Sequence, residues 1–296
     1  MQRRARAGTV SALRKKENEF LKIAMIHGQS HEGASCNIAR LLAKKTGGEV
    51  TEFFLPKDFG HFCCGCTACF TKGQDKCPHY KDLAPITKAL LEADVIILSS
   101  PVYVFHATGS MKAMLDHYGY MWMAHRPEEA MFAKQGVCIS TAAGMGMGST
   151  NKDMAHSLSY WGVGRVYKLG FAVAATDWES VSDKKRSQIE KKTDALAKKI
   201  KARQGRVKPA LKTKFMFGIM RQFQKNGYNP MDMEYWKEKG WLGKDRPWKN
   251  KEAKKVPHPH QRRRRKIAIL KALSSGMTRV PFSVSLLGAC SMNNEE

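Results

Sequence analysis

The segment DVIILSS, residues 94–100, places four consecutive apolar residues, three of them β-branched, between an acidic residue and a pair of serines. A run of that length and type, with Pro101 directly after it, reads as a strand covered on both faces rather than as a helix. Four other segments carry the same signal in weaker form: FLKIAMIHG (20–28), the alternating EVTEFFLP (49–56), KQGVCIST (134–141) and RVYKLGFAVAA (165–175). Segments with helical spacing separate and follow them: ASCNIARLLAKKTGG (34–48), YKDLAPITKALLEA (80–93), HATGSMKAMLDHYGYMW (106–122), KDMAHSLSYWG (152–162) and DKKRSQIEKKTDALAKKIKAR (183–203). Strands alternating with helices of this length need crossover connections. The expectation is an α/β protein whose five-stranded parallel sheet is doubly wound in the order 2-1-3-4-5, with a helical C-terminal extension.

The texture changes after residue 205. Residues 206–252 are rich in Met and Trp, with Trp236, Trp241 and Trp248, and read as helical pieces packing on the domain or on a dimer partner. The expected organisation is therefore a basic, disordered N-terminus (1–19), a cofactor domain (20–205), the helical extension (206–252) and a basic, disordered tail (253–296). The formal charge of +25 suggests a nucleic-acid binder, but its distribution argues against that for the core. Residues 181–296 carry a net +20 and residues 1–19 a net +4, leaving only +1 on residues 20–180. The run RRRRK (262–266) suits a contact with nucleic acid or an anionic surface, but no recognition module accompanies it. No apolar run approaches the length of a membrane span, and the first twenty residues lack the apolar stretch of a secretory signal. A cytoplasmic protein is expected.

In an open parallel sheet, ligands bind beyond the carboxyl ends of the strands, where the strand order reverses. Here that crevice is built from HGQSHEGAS (27–35), PVYVFHATG (101–109) and TAAGMGMGS (141–149). The first loop offers Gln29, Ser30, Gly33 and Ser35 ahead of a helix, a phosphate cradle of backbone N–H groups and hydroxyls. It has neither the Gly-Lys-Ser/Thr of a Walker loop nor the G-x-G-x-x-G dinucleotide fingerprint. The second loop carries Pro101, Val102, Tyr103, Val104 and Phe105, whose aromatic pair can wall a flat ring. The third carries Thr141, Ala142, Ala143 and Gly144, with Gly146 and Gly148, where backbone can approach that ring. Three such loops on one sheet edge favour flavin mononucleotide, FMN.

SPVYVFHATGSMKAMLDH resembles the S-P-x-Y…M-K…D element of the NADPH-dependent FMN reductase-like families, within the flavodoxin-like superfamily. The first loop sits where those proteins carry G-S-x-R-x-x-G-x-T, with Ser30 in place of the family arginine. CCGCTACF…CPHY lies where many of them place a C-x-G-C-x-x-C segment. The resemblance covers residues 20–175, and the YWKEKGWL…RPW segment extends it to about 250. It implies a flavodoxin-like fold, FMN as cofactor and NAD(P)H as co-substrate. It also implies Ser30 and Ser35, with backbone of Gln29 and Gly33, at the phosphate, Pro101 to Phe105 along the isoalloxazine, and Thr141 to Gly144 at its polar edge.

Five of the eight cysteines lie in CCGCTACFTKGQDKC. Cys63, Cys66, Cys69 and Cys77 are spaced C-x2-C-x2-C-x7-C, with Cys64 extra. Such spacing without a secretion signal points to metal or redox thiols rather than disulfides. A 4Fe–4S cluster, zinc, and free redox or packing thiols all remain open. The spacing also resembles the compact motif of the iron-sulfur flavoproteins of this superfamily. His106 reads as a flavin-edge or helix-capping residue, and no catalytic residue is singled out, because hydride chemistry belongs to the cofactor. The expected function is an FMN-dependent NAD(P)H oxidoreductase, a homodimer, passing electrons to a quinone, free flavin or similar small acceptor. The alternative is a non-enzymatic flavodoxin-like or iron-sulfur electron carrier.

Overall fold

The computed structural model describes residues 20–249, except 176 and 228. The expected disordered termini, 1–19 and 253–296, lie outside the described residues.

Five strands form one all-parallel sheet: β1 (Lys22–His27), β2 (Glu49–Phe54), β3 (Val95–Pro101), β4 (Gln135–Ala142) and β5 (Arg165–Ala172), in the order β2-β1-β3-β4-β5. The helices are α1 (Ala34–Thr46), a single turn α2 (Ala68–Thr71), α3 (Tyr80–Glu92), α4 (Gly109–Asp116), α5 (Met147–Tyr160), α6 (Asp183–Ala202), α7 (Leu211–Lys225) and α8 (Pro230–Glu238). Alternation along the central strands builds two cores. Ile23 and Met25 of β1, Val95 and Ile97 of β3, and Val137 and Ile139 of β4 face α1 and α6. Ala24, Ile26, Ile96, Leu98 and Cys138 face α3, α4 and α5. Both faces are covered, which is why β3 has no polar residue from Val95 to Leu98. Each fully buried Ile or Leu contributes about 1.5–3 kcal/mol relative to exposure.

Two helix boundaries differ from the sequence expectation. The helix expected over 106–122 is α4 alone, because Thr108 caps its start by accepting from Met111 N at 3.2 Å, and a 3-10 turn, Gly119–Met121, replaces its second half. The helix expected over 152–162 begins five residues earlier. Gly146, at φ +92°, reverses the chain into α5, so Gly148 lies in that helix's first turn and not in the loop.

The extension is helical, as expected. Phe217 of α7 and Trp236 of α8 join Trp241, Phe132 and Met123 in a third, aromatic core. No helix among the described residues is long and apolar enough to cross a membrane.

Candidate functional site

The carboxyl ends of β1, β2 and β3 are tied together by a buried network. His27 ends β1 and is 2% exposed. Its Nδ1 lies 2.6 Å from Ser99 Oγ on β3, and its Nε2 lies 2.8 Å from Glu52 Oε1 on β2. Arg40 of α1 donates to both oxygens of Glu52 and to both of Glu32. Burial lowers the His27 pKa, against the raising effect of Glu52. Burial alone would raise the Glu52 carboxyl, but hydrogen bonds from Arg40 and His27 prevail and hold it below its usual value. Cys36 lies 4.0 Å from His27 Nε2, and burial pushes its thiol up to about 12. His27, Cys36 and Glu52 are spaced as metal ligands are, yet their donors and acceptors already serve one another.

Above this network the three predicted loops are bonded to each other. Gly28 N donates to Ser99 O at 2.7 Å, and Thr108 Oγ1 donates to Gly28 O at 2.7 Å. A Cβ on Gly28 would stand 2.6 Å from Thr108 Oγ1, so only glycine allows this approach. Val102 N donates to Thr141 O at 2.8 Å, joining the second loop to the third. Gly146 packs so close to Val102 and Phe105 that a Cβ would lie 2.5 Å from Val102 Cγ1.

Tyr103 and His106 exchange two 3.0 Å backbone hydrogen bonds around Val104 and Phe105, whose φ values are +48° and +64°. This is a two-residue reversal made without glycine, and left-handed backbone at a β-branched residue costs about 1–3 kcal/mol. The turn leaves Tyr103 47%, Val104 92% and Phe105 56% exposed. Folding alone gives no reason for such a strained, apolar and exposed tip. Beside it His106 Nδ1 lies 3.0 Å from Asp153 Oδ2 of α5, a partner no local pattern announces.

At the start of α1, Gly33 caps the helix without a side-chain hydrogen bond, and the first turn has no acidic residue. Among the described residues no side chain caps the leading N–H groups of that helix, which suits an anion. Ser35 is buried in the first turn, whereas Ser30 is exposed and its Oγ donates to Leu55 O at 3.2 Å. Gln29 is half-buried. Glu32, the one carboxylate in the loop, is bound by Arg40, whose hydrogen bonds lower its pKa. Thr141 is buried, Ala142 and Pro101 half-buried, and Ala143 and Gly144 exposed at the rim. An uncapped helix, a glycine approach and an exposed apolar wall fit the phosphate and ring of FMN.

The cysteines of residues 63–77 form a second site. Cys63, Cys64, Cys66, Cys69 and Cys77 line one pocket of about 70 Å³ with His79 and His117. Burial raises the pKa of Cys69, and its neighbours Cys77, Cys63 and Cys66 raise it further. Cys77 is raised first by burial and also by Cys66 and Cys63. Cys63, Cys66, Cys69 and Cys77 bring four sulfurs to one pocket, a donor set that a cationic iron-sulfur group satisfies, so the residues fit such a group.

Two histidines line this pocket and a third, His61, stands beside them; the sequence assigned none of the three a role. His61 stacks on His79 at 4.5 Å, and His79 Nδ1 lies 2.9 Å from His117 Nε2. His117 Nδ1 lies 2.8 Å from Ala113 O, so that nitrogen carries the proton and Nε2 of the neutral ring accepts from His79. The pocket's backbone is held from outside. Arg126 donates to Cys69 O and pairs with the buried Asp232 of α8, and Asp232 Oδ2 lies 2.7 Å from His125 Nδ1.

The family profile described as NADPH-dependent FMN reductase matches residues 21–179, the whole sheet and its three loops. An iron-sulfur flavoprotein of Archaeoglobus fulgidus is 30% identical over 207 residues, 67% of this chain and 88% of that protein. An iron-sulfur flavoprotein of Methanosarcina thermophila is 31% identical over 100 residues, 32% of this chain and 51% of that protein. A solved flavone reductase, 18% identical with a TM-score of 0.47, covers 64% of this chain and 66% of its own. The chain belongs to the NADPH-dependent FMN reductase family and is, by class, a flavin oxidoreductase with a flavodoxin-like fold.

Proposed function

We propose that the chain takes hydride from NAD(P)H onto FMN at the carboxyl edge of the sheet and passes the electrons to a small acceptor such as a quinone or free flavin. The observation that carries this reading is the mutual bonding of the loops after β1, β3 and β4 at one edge, Gly28 to Thr108 and Val102 to Thr141. The free N–H groups of α1, with Ser30, Ser35 and backbone of Gln29 and Gly33, hold the phosphate. Pro101, Val102, Tyr103, Val104 and Phe105 cover the ring, and Thr141, Ala142, Ala143 and Gly144 meet its polar edge. When bound, FMN supplies the two-electron chemistry. The protein orients the ring, excludes water from one face with Tyr103 and Phe105, and neutralises Glu32 through Arg40. The chain acts in the cytoplasm as a homodimer.

The cysteine pocket favours a second reading, an electron carrier. Cys63, Cys66, Cys69 and Cys77 would hold a 4Fe–4S cluster, which supplies one-electron transfer when present. Anaerobic addition of NADH or NADPH separates the two. Bleaching of the flavin bands followed by turnover with a quinone supports the reductase, and flavin that neither coenzyme reduces supports the carrier.

A further inference from the structure

We propose that the outer face of α7 docks on an anionic lipid surface. Leu211, Phe215 and Phe223 are 84%, 68% and 53% exposed, and Ile219 between them is half-buried. Residues four apart advance about 40° around a helix, so these four side chains spread over an outward arc of about 120°. The opposite side fixes the helix to the body. Phe217 is buried in the aromatic core, Gln224 Nε2 donates to Ala124 O at 2.6 Å, and Arg221 Nη2 donates to Leu242 O at 2.9 Å. The helix is thus held on one side and presents an apolar strip on the other that folding does not require.

Charge identifies the occupant. Residues 195–231 contain ten Lys and Arg and not one Asp or Glu. Lys212 and Lys225 flank the strip and are exposed, as are Arg206 and Lys208 on the approach to the helix. An apolar arc whose charged neighbours along its own helix are all cations is the pattern of a helix lying in the headgroup region of an acidic bilayer, its apolar side chains at the acyl boundary. A second copy fits less well, because a two-fold contact through this face would set Lys212 and Lys225 against the same cations of the other chain.

The test is co-sedimentation of the full chain with phosphatidylcholine vesicles, with and without about 30% phosphatidylglycerol. The expected result is binding to the acidic vesicles only, weakened about tenfold or more in Phe215→Ser/Phe223→Ser. Both residues are exposed, so the tryptophan emission and oligomeric state of that variant should match the wild type. A second probe, Phe215→Trp, should gain blue-shifted emission with acidic vesicles over the wild-type background. Absence of a preference for acidic vesicles overturns the proposal. So does undiminished binding by the double variant, which would assign the contact to basic segments elsewhere. Dissociation of an oligomer in the double variant, or competition for the Phe215→Trp signal by RNA in place of lipid, would assign the face to another partner and equally overturn it.

Discussion

Tyr103 sits on a turn that contributes to none of the three cores, so removing its ring tests ligand contact without disturbing the packing. Tyr103→Ala should leave the circular dichroism spectrum unchanged and weaken FMN binding by about 0.5–1.5 kcal/mol, roughly two- to tenfold in Kd. Retention of wild-type affinity and flavin quenching would take the ring off the flavin. Gly28→Ala tests the opposite case, a position where space is the constraint. Its Cβ would meet Thr108 Oγ1 at 2.6 Å, displacing the residue that caps α4, and should cost about 1–3 kcal/mol in denaturant unfolding. His27 makes a pH-dependent contribution. Its pKa is lowered from 6.5 by burial, so the unfolded chain takes up a proton before the folded one. The stabilisation is complete above 6.5 and fades as the pH falls below it. Between pH 7.5 and 5, wild-type stability should therefore drop more steeply than that of His27→Gln, as measured by denaturant melts at each pH.

Among the elements, the C-terminal helices act on the cysteine pocket through one ion pair. Asp232 of α8 is fully buried against Arg126, which also donates to Cys69 O. Asp232→Ala leaves the guanidinium buried without its partner, at a cost of about 3–5 kcal/mol. The thiols of the 63–77 loop should then react faster with a disulfide reagent, and wild-type reactivity would uncouple α8 from the loop. None of this was legible in the sequence, because Arg126 and Asp232 lie 106 residues apart in a region that has no period. The His61–His79–His117 array was hidden for the same reason: tertiary packing, not spacing, assembles it. The five strands were legible because a strand covered on both faces leaves a run such as VIIL that few other structures tolerate. Helix ends were less so. The start of α5 depends on Gly146 adopting a left-handed conformation that a glycine-rich stretch permits at several positions.

At the scale of the molecule, charge and chemistry occupy different parts of the chain. Residues 20–180 carry almost no net charge, while α6, α7 and the sequence beyond hold most of the excess. The meeting of the three loops at one edge was readable because strand order alone brings them together. Their detailed roles were less so: Ser30, expected at the phosphate, also has Leu55 O within reach. The decisive measurement is the absorbance spectrum of anaerobically purified protein during titration with NADPH and then NADH. Flavin bands at one FMN per chain, bleached by a nicotinamide coenzyme and restored by a quinone, are the expected result. Protein that retains no flavin when supplied with FMN, or whose bound flavin neither coenzyme reduces, would contradict the assignment of reductase chemistry to this edge.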